Sequence, residues 1–493
     1  MHKIFGIDDI LTEIFKYTEL YKLYPCVFVN NQWCKVTMPI LWQAPFIPNC
    51  FPQPDEKAWK FLKLLARTYL LCLTKDKYEF LKNEGLTLPP ASSPKFEYPT
   101  FMKVLDFSFI YYVADSWIID ENVSEEKKIY YQEILGKTLI ENLIEQAKNI
   151  QFIHLDGNIQ APILPILNKD TQSLQDLRRL FIHSQINEEI FVKNISAFVK
   201  QISEIVKKVE HITIRADAYR DDQEDEAKAL AELIEVSSSL KFLEIIGYRI
   251  FPEIFKSLQK QSNSLVNLSL KEIDFKQSNS PVNLSPEEID LKFKQTIQEI
   301  IETWLPIFDL KKLQKFTFRK NGNFNQDAVP LIIKIIKSTD MNLQYLELSM
   351  IPLTLDNRSE IISTIVQSCP NLIHLYLRTL SNSEIESILI NCQKLRVLKF
   401  YTENNFYEAN FTEIAENLPP SLHLLNIIIT TKYYFPFYDS FKSFIDKLNS
   451  NNKLKILNVI KAGYYFQVDD ESKQMLMERG ISLNSNFNFI RPY

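Results

Sequence analysis

The side chains best suited to recognising a ligand are Arg319, Tyr345, His374, Tyr376, Arg378, Lys399 and Tyr401. They fall in short segments with one alternation. Lys315, Thr317 and Arg319 interleave with Phe316 and Phe318; Tyr345, Glu347 and Ser349 interleave with Leu346 and Leu348. His374, Tyr376 and Arg378, then Val397, Lys399 and Tyr401, repeat the scheme. Residues two apart share one face of a strand. Stacked about 5 Å apart, these strands would carry an aromatic and locally basic patch. Tyrosine and arginine are enriched at binding hot spots. The chemistry implied is non-covalent, and an acidic or phosphorylated peptide suits it.

Covalent chemistry finds little support. The chain has only eight glycines in 493 residues, no two closer than 17. Dinucleotide-binding, phosphate-loop and nucleophile-elbow motifs need glycines two to five residues apart, so that backbone can turn tightly or approach a phosphate. The six cysteines form no Cys-x-x-Cys, and the six histidines never stand three to five apart, so no zinc site is written in the sequence. Cys369 and Cys392 each precede a leucine by three, which places them at helix-to-strand junctions as small buried hydrophobes. No catalytic residue, metal or cofactor is expected. Net charge of −5 argues against nucleic acid or an anionic membrane as partner.

The elements that position the patch follow from a recurring pattern, apolar-x-x-apolar-x-apolar. It runs through Met102/Leu105/Phe107, Ile150/Ile153/Leu155, Leu177/Leu180/Ile182, Val209/Ile212/Ile214, Leu240/Leu243/Ile245 and Leu265/Leu268/Leu270. It continues through Leu313/Phe316/Phe318, Leu343/Leu346/Leu348, Leu372/Leu375/Leu377, Leu395/Leu398/Phe400, Leu422/Leu425/Ile427 and Leu454/Leu457/Val459. Those twelve copies are mostly 23 to 32 residues apart, with two steps of 48. This is the spacing of a leucine-rich repeat. Helix-period stretches such as 356–369 and 381–392 lie between copies, so each repeat supplies one strand and one helix, and stacking buries what neither buries alone. An acidic run from Asp217 to Glu232 reads as the start of a solvated helix.

One long step has a visible cause. Residues 260–275 and 276–291 match at 12 of 16 positions, a tandem duplication. The second copy carries Pro281 and Pro286 where the first has Leu265 and Leu270. Proline cannot donate to a strand ladder, so 276–291 is expected to be an extruded loop. Upstream, 47–55 holds three prolines and reads as a break, 56–83 as amphipathic helix, and 86–99 as a second proline-rich stretch. The domains are therefore 1–46, a helical linker over 47–99, and the repeats over 100–493.

Residues 7–46 are the most specific stretch. They carry an acidic/aliphatic opening (Asp9, Ile10, Leu11, Glu13, Ile14, Phe15), a leucine-containing turn (Leu20, Leu23), Val29-x-x-x-Trp33, and a closing Leu41-Trp42. Here the sequence resembles an F-box. The family's usual Leu-Pro opening falls at Gly6-Ile7, and its usual basic residue at Asn31. The resemblance implies an α/β chain with an N-terminal α-helical F-box, followed by a curved leucine-rich-repeat solenoid. It implies a substrate receptor of an SCF-type cullin–RING ubiquitin ligase. Ile7, Ile10, Leu11, Ile14, Phe15, Leu20, Leu23, Val29, Trp33, Leu41 and Trp42 would serve the Skp-family adaptor, and the repeats an unknown protein target. Such a chain would be a monomer within a hetero-complex, cytoplasmic or nuclear. The physics agrees: a three-helix unit of about 40 residues cannot bury so much apolar surface alone. The alternative is a repeat scaffold with no ubiquitin role.

Overall fold

A computed structural model describes residues 7–45, 56–119, 123–156, 167, 171–184, 189–216, 224–247, 252–272, 309–320, 328–349, 354–402, 409–429, 437–448, 454–461 and 470–483. The duplicated segment 276–291 lies outside them. The chain divides into two compact units, Met1–Leu240 and Lys241–Tyr493.

The first unit opens with helices α1 (Ile7–Lys16), α2 (Leu20–Leu23) and α3 (Asn31–Leu41). Asp8 and Asp9 sit in the first turn of α1 and Lys16 in its last, each sign matched to the helix dipole. The Asn30 side chain accepts from the Trp33 amide at 2.8 Å and so starts α3. Helices α4 (Glu56–Leu71) and α5 (Lys75–Asn83) follow. Helix α4 packs on α6 (Phe107–Ile118), and α5 on α7 (Glu125–Gln146). Asn142 of α7 accepts from the Thr74 amide at 3.2 Å and donates to the Cys72 carbonyl at 3.2 Å, which satisfies the turn between α4 and α5. The long step between the first two copies thus holds two helices, α6 and α7, where one was expected.

Strands β1 (Val104–Asp106), β2 (Phe152–Asp156), β3 (Arg179–Ser184) and β4 (His211–Ala216) pair in sequence order, all parallel. Helices α8 (Glu189–Ile205) and α9 (Glu224–Val236) complete the unit. The acidic run enters α9 at Glu224, and that helix turns Ala227, Leu230, Leu233 and Ile234 into the core.

In the second unit β5 (Phe242–Ile246), β6 (Asn267–Lys271), β7 (Lys315–Arg319), β8 (Tyr345–Ser349), β9 (His374–Leu380), β10 (Val397–Thr402), β11 (Leu424–Ile429), β12 (Ile456–Lys461) and β13 (Ser482–Leu483) stack in order, again parallel. Between them run α10 (Pro252–Gln259), α11 (Val329–Lys337), α12 (Leu355–Ser368), α13 (Asn382–Asn391), α14 (Ala409–Glu416), α15 (Phe437–Lys447) and α16 (Asp470–Glu478). Parallel neighbours need such crossovers. All twelve sequence copies supply strand-flanking core residues, none more than 4% exposed. In the first copy Phe107 opens α6 instead of ending β1. Strand β13 has no copy of the pattern; it is a two-residue edge, a short strand of the kind that limits further pairing.

One backbone contact recurs along both ladders. The carbonyl just before a strand accepts two N–H groups from the next repeat. In the first unit Gln43 serves Lys103 and Val104 at 2.9 and 3.0 Å, Lys103 serves Gln151 and Phe152, and Gln151 serves Arg178 and Arg179. In the second unit Lys241, Val266, Gln314, Gln344, Ile373, Arg396 and His423 do the same for their successors. Gln43 belongs to the end of the helical head, so the head closes the β1 edge of the sheet.

Two expected outcomes follow. Gly136 of α7 faces Tyr111 of α6, and a Cβ there would lie 2.6 Å from a ring only 2% exposed. Gly136→Ala should destabilise the chain by about 1–3 kcal/mol, the scale of overpacking, although alanine favours helix by about 1 kcal/mol. Chemical denaturation reads the sign. A chain starting at residue 56 leaves the Lys103 and Val104 amides without their acceptor. It should melt lower and self-associate by light scattering.

Candidate functional site

Two surfaces emerge, one on the head and one on the strands of the second unit.

In the head, α1 is split by burial. Leu11, Phe15, Leu23 and Val36 form its core, with Cys26, Trp33, Ile40 and Leu41 packed around them. The Phe15 and Trp33 rings meet edge to face, centroids 5.3 Å apart. Gln32 donates to Asp8 at 2.7 Å and ties α3 to α1. Trp42 leaves the head: its ring lies 4.2 Å from that of Tyr98 and 5.6 Å from that of Tyr69 on α4. Leu11, Phe15, Leu23, Leu41 and Trp42 therefore build and seat the head. The part of the expected set that faces outward is Ile10, Ile14 and Val29, 52%, 54% and 56% exposed. Tyr17, Tyr24 and Phe28, which sequence reading left out, stand exposed on the same three-helix head. Their signal was there: apolar side chains inside a segment too short to bury them. Ile7 and Leu20 lie within α1 and α2, and their side chains are outside the described set.

On the strands, register fixes the second surface. One row pairs Asn267, Lys315, Tyr345, His374, Val397, Leu424 and Ile456 across successive strands. The next row pairs Ser269, Thr317, Glu347, Tyr376, Lys399, Asn426 and Asn458. Arg319 and Ser349 pair in a third row, as do Tyr401 and Ile428. Beyond Leu377 the register of β9 with β10 shifts, so Leu380 rather than Thr379 meets Thr402.

The charges on this face are organised around Glu347. Its carboxylate is buried, accepts from Arg319 Nη2 at 2.6 Å through Oε1, and accepts from Tyr345 Oη at 2.9 Å through Oε2. That bond to Glu347 holds the Arg319 guanidinium firmly protonated. Lys271 and Ser269 likewise occupy Glu244, at 2.7 and 3.1 Å. The remaining cations lie against rings. Lys315 Nζ is 4.4 Å from the Tyr345 centroid, Lys399 Nζ 4.4 Å from that of Tyr376, and Arg378 Cζ 5.9 Å from that of Tyr401. Tyr376 and Tyr401 join through their hydroxyls at 3.5 Å. Burial, then the carboxylate of Glu347, pushes the Tyr345 hydroxyl up to about 12, and burial together with Tyr401 pushes Tyr376 up. Both are neutral donors at physiological pH. His374, its ring 5.6 Å from that of Tyr345, is held below its ordinary range by burial, then by Arg396 and Lys315.

Arg319, Tyr345, His374, Tyr376, Arg378, Lys399 and Tyr401 thus stand on one face. Sequence reading treated Glu347 as one more exposed residue of the row; it is the internal counter-ion, buried beneath it. Asn426 and Asn458 were missed, although they alternate with the core leucines of their copies just as Tyr376 and Lys399 do. Cys369 and Cys392 cap the C-termini of α12 and α13, with thiols pushed by burial to about 12 and about 11, which keeps both protonated at neutral pH. Among the described residues no cluster of three or more His, Cys, Asp or Glu could hold a metal ion, and no helix is long and apolar enough to cross a membrane.

No family model matches the chain, and no curated protein matches it. Among solved structures it is similar to the Rad7 and Elc1 complex in yeast, at 13% identity over 87% of this chain and 94% of that one, with a TM-score of 0.34. It is also similar to the leucine-rich repeat-containing protein LegL7 from Legionella pneumophila, at 13% identity over 61% and 90%, with a TM-score of 0.32. The repeat class rests on this chain's own strands. Each unit is a leucine-rich-repeat stack. Each is a parallel ladder with one strand per copy, joined in sequence order.

The Glu347 cluster gives an asymmetric expectation. Arg319→Leu leaves a buried carboxylate held by one hydroxyl, and should cost about 1–3 kcal/mol. Glu347→Leu leaves a guanidinium whose side chain is already 44% exposed, and should cost less. Urea midpoints of the two variants give the order.

Proposed function

We propose that the chain is the substrate-recognition subunit of an SCF-type cullin–RING ubiquitin ligase. Its head binds a Skp-family adaptor, and its repeats bind a target protein. The observation that carries this reading is the head. A stretch that resembles an F-box folds as three short helices on a core of Leu11, Phe15, Leu23 and Val36, while Ile10, Ile14, Tyr17, Tyr24, Phe28 and Val29 stay at the surface. Apolar residues gathered on so small a unit suit a partner helix laid across them. The chain would do no bond chemistry. Its contribution is proximity, since a target held on the repeats meets a ubiquitin-charged enzyme at raised effective concentration.

A repeat scaffold without a ubiquitin role is the competing reading. It is favoured by the strand face, whose organisation does not depend on any adaptor. Capture of a purified Skp-family adaptor by the full-length chain separates the two. Ile10→Asp with Ile14→Asp should weaken capture at least about tenfold, some 1.4 kcal/mol, with the melting temperature unchanged because both residues are exposed. Phe15→Asp should instead unfold the head. Absence of adaptor binding by the wild-type chain leaves the scaffold.

A further inference from the structure

Strands β7 to β12 carry a face with two chemically distinct halves. On β7 to β10 the cations outnumber the carboxylates. Glu347 is taken by Arg319, whereas Lys315, Arg378 and Lys399 pair with no carboxylate among the described residues and rest on tyrosine rings. On β11 and β12 the same rows turn aliphatic, with Leu424 and Ile456 beyond Val397, and Ile428 beyond Tyr401. Through this aliphatic half the middle row continues from Lys399 to Asn426 and Asn458. The Oδ1 atoms of both asparagines, like that of Asn267 on β6, are buried and have no hydrogen-bond partner among the described residues. Two adjacent amides left this way are costly unless a donor reaches them.

We infer that this face binds an extended protein segment with an acidic block over β7 to β10 and an aliphatic block over β11 and β12, the Asn426 and Asn458 amides bonding to its backbone. The inference deepens the target-binding part of the proposed function. Charge complementarity selects the acidic block. The three cations are spread over β7, β9 and β10 and do not converge on one point. Separate carboxylates answer that spread better than a single phosphate, which takes a converging, bidentate cluster. Five strand steps of about 4.8 Å span roughly 24 Å, the length of about seven extended residues. The rings that hold the cations also hold them in place, so little side-chain freedom is lost on binding.

The test uses the purified full-length chain and fluorescein-labelled peptides, read by anisotropy. A Glu/Asp block joined to a Leu/Val block should bind, and more weakly as salt rises. Arg378→Ala with Lys399→Ala should weaken it at least about tenfold. Asn426→Leu with Asn458→Leu should also weaken it while the melting temperature holds or rises, which separates recognition from support of the fold. Equal binding of a Lys-for-acid peptide would overturn the inference, as would indifference to the Arg378 and Lys399 changes. A single-phosphoserine peptide without the acidic block that binds as tightly would overturn the choice of carboxylates. Equal affinity for anionic vesicles or single-stranded DNA would reduce the face to general anion attraction. Adaptor capture should be untouched by all four substitutions, so failure of the peptide result and failure of the ligase reading remain distinct.

Discussion

The fold depends on a carbonyl that accepts twice. Along both ladders one carbonyl per repeat, from Lys103 to His423, receives two amide protons from the repeat that follows, and this sets the register of the next strand. Once Gln344 holds Ile373 and His374, Leu346 must lie beside Leu375 and Tyr345 beside His374. The core and the outer face are thus aligned by the same contact. Shifting one strand by one residue would turn its leucines outward and its tyrosines inward. The helical head takes part on the same terms through Gln43, with Trp42 wedged against Tyr69 and Tyr98 beside it. In the first unit the head is consequently the first layer of the stack.

The legibility of the sequence follows from which atoms do this work. Core positions such as Leu372, Leu375 and Leu377 are visible because side-chain volume constrains them, and every copy found in the sequence flanks or fills a strand. The accepting carbonyl belongs to Gln, Lys, Val, Ile, Arg or His, since only backbone is required, so it leaves no mark in the sequence. Strand β13 is silent for a similar reason: with two paired residues it needs no leucine triplet. In the head, periodicity showed an apolar stripe but could not divide it. Leu11 and Ile10 look alike in sequence, and only the place of α3 decides that one is buried and the other exposed. On the outer face alternation identified the residues correctly as neighbours. It could not reveal that Glu347 lies beneath them as a counter-ion, because that depends on a bond made across strands.

The two ion pairs of the face differ from its other cations in how the charge is held. Arg319 and Lys271 already have carboxylates, and their contribution is to hold the sheet surface in one geometry. Lys315, Arg378 and Lys399 lean on rings, which orient a charge without neutralising it. A pair with both partners buried, Arg358 with Glu384 at 2.8 Å, lies between α12 and α13, and Glu384 also accepts from the Ser381 amide at the start of α13. That pair fixes one helix against the next, away from the strand face. Charge on the described residues thus fastens repeats in some places and rests on aromatic rings in others.

The parallel pairing of β6 with β7 is as regular as any other, Leu268 beside Phe316 and Leu270 beside Phe318. Yet 48 residues separate Leu265 from Leu313, whereas 23 separate Leu372 from Leu395. Register here is independent of the length of chain between strands. A segment can be copied into a spacer, as 260–275 was into 276–291, without moving any residue of the displayed rows. The spacers are therefore free to drift while the rows keep their order, much as lines of type hold their alignment whatever the width of the margins.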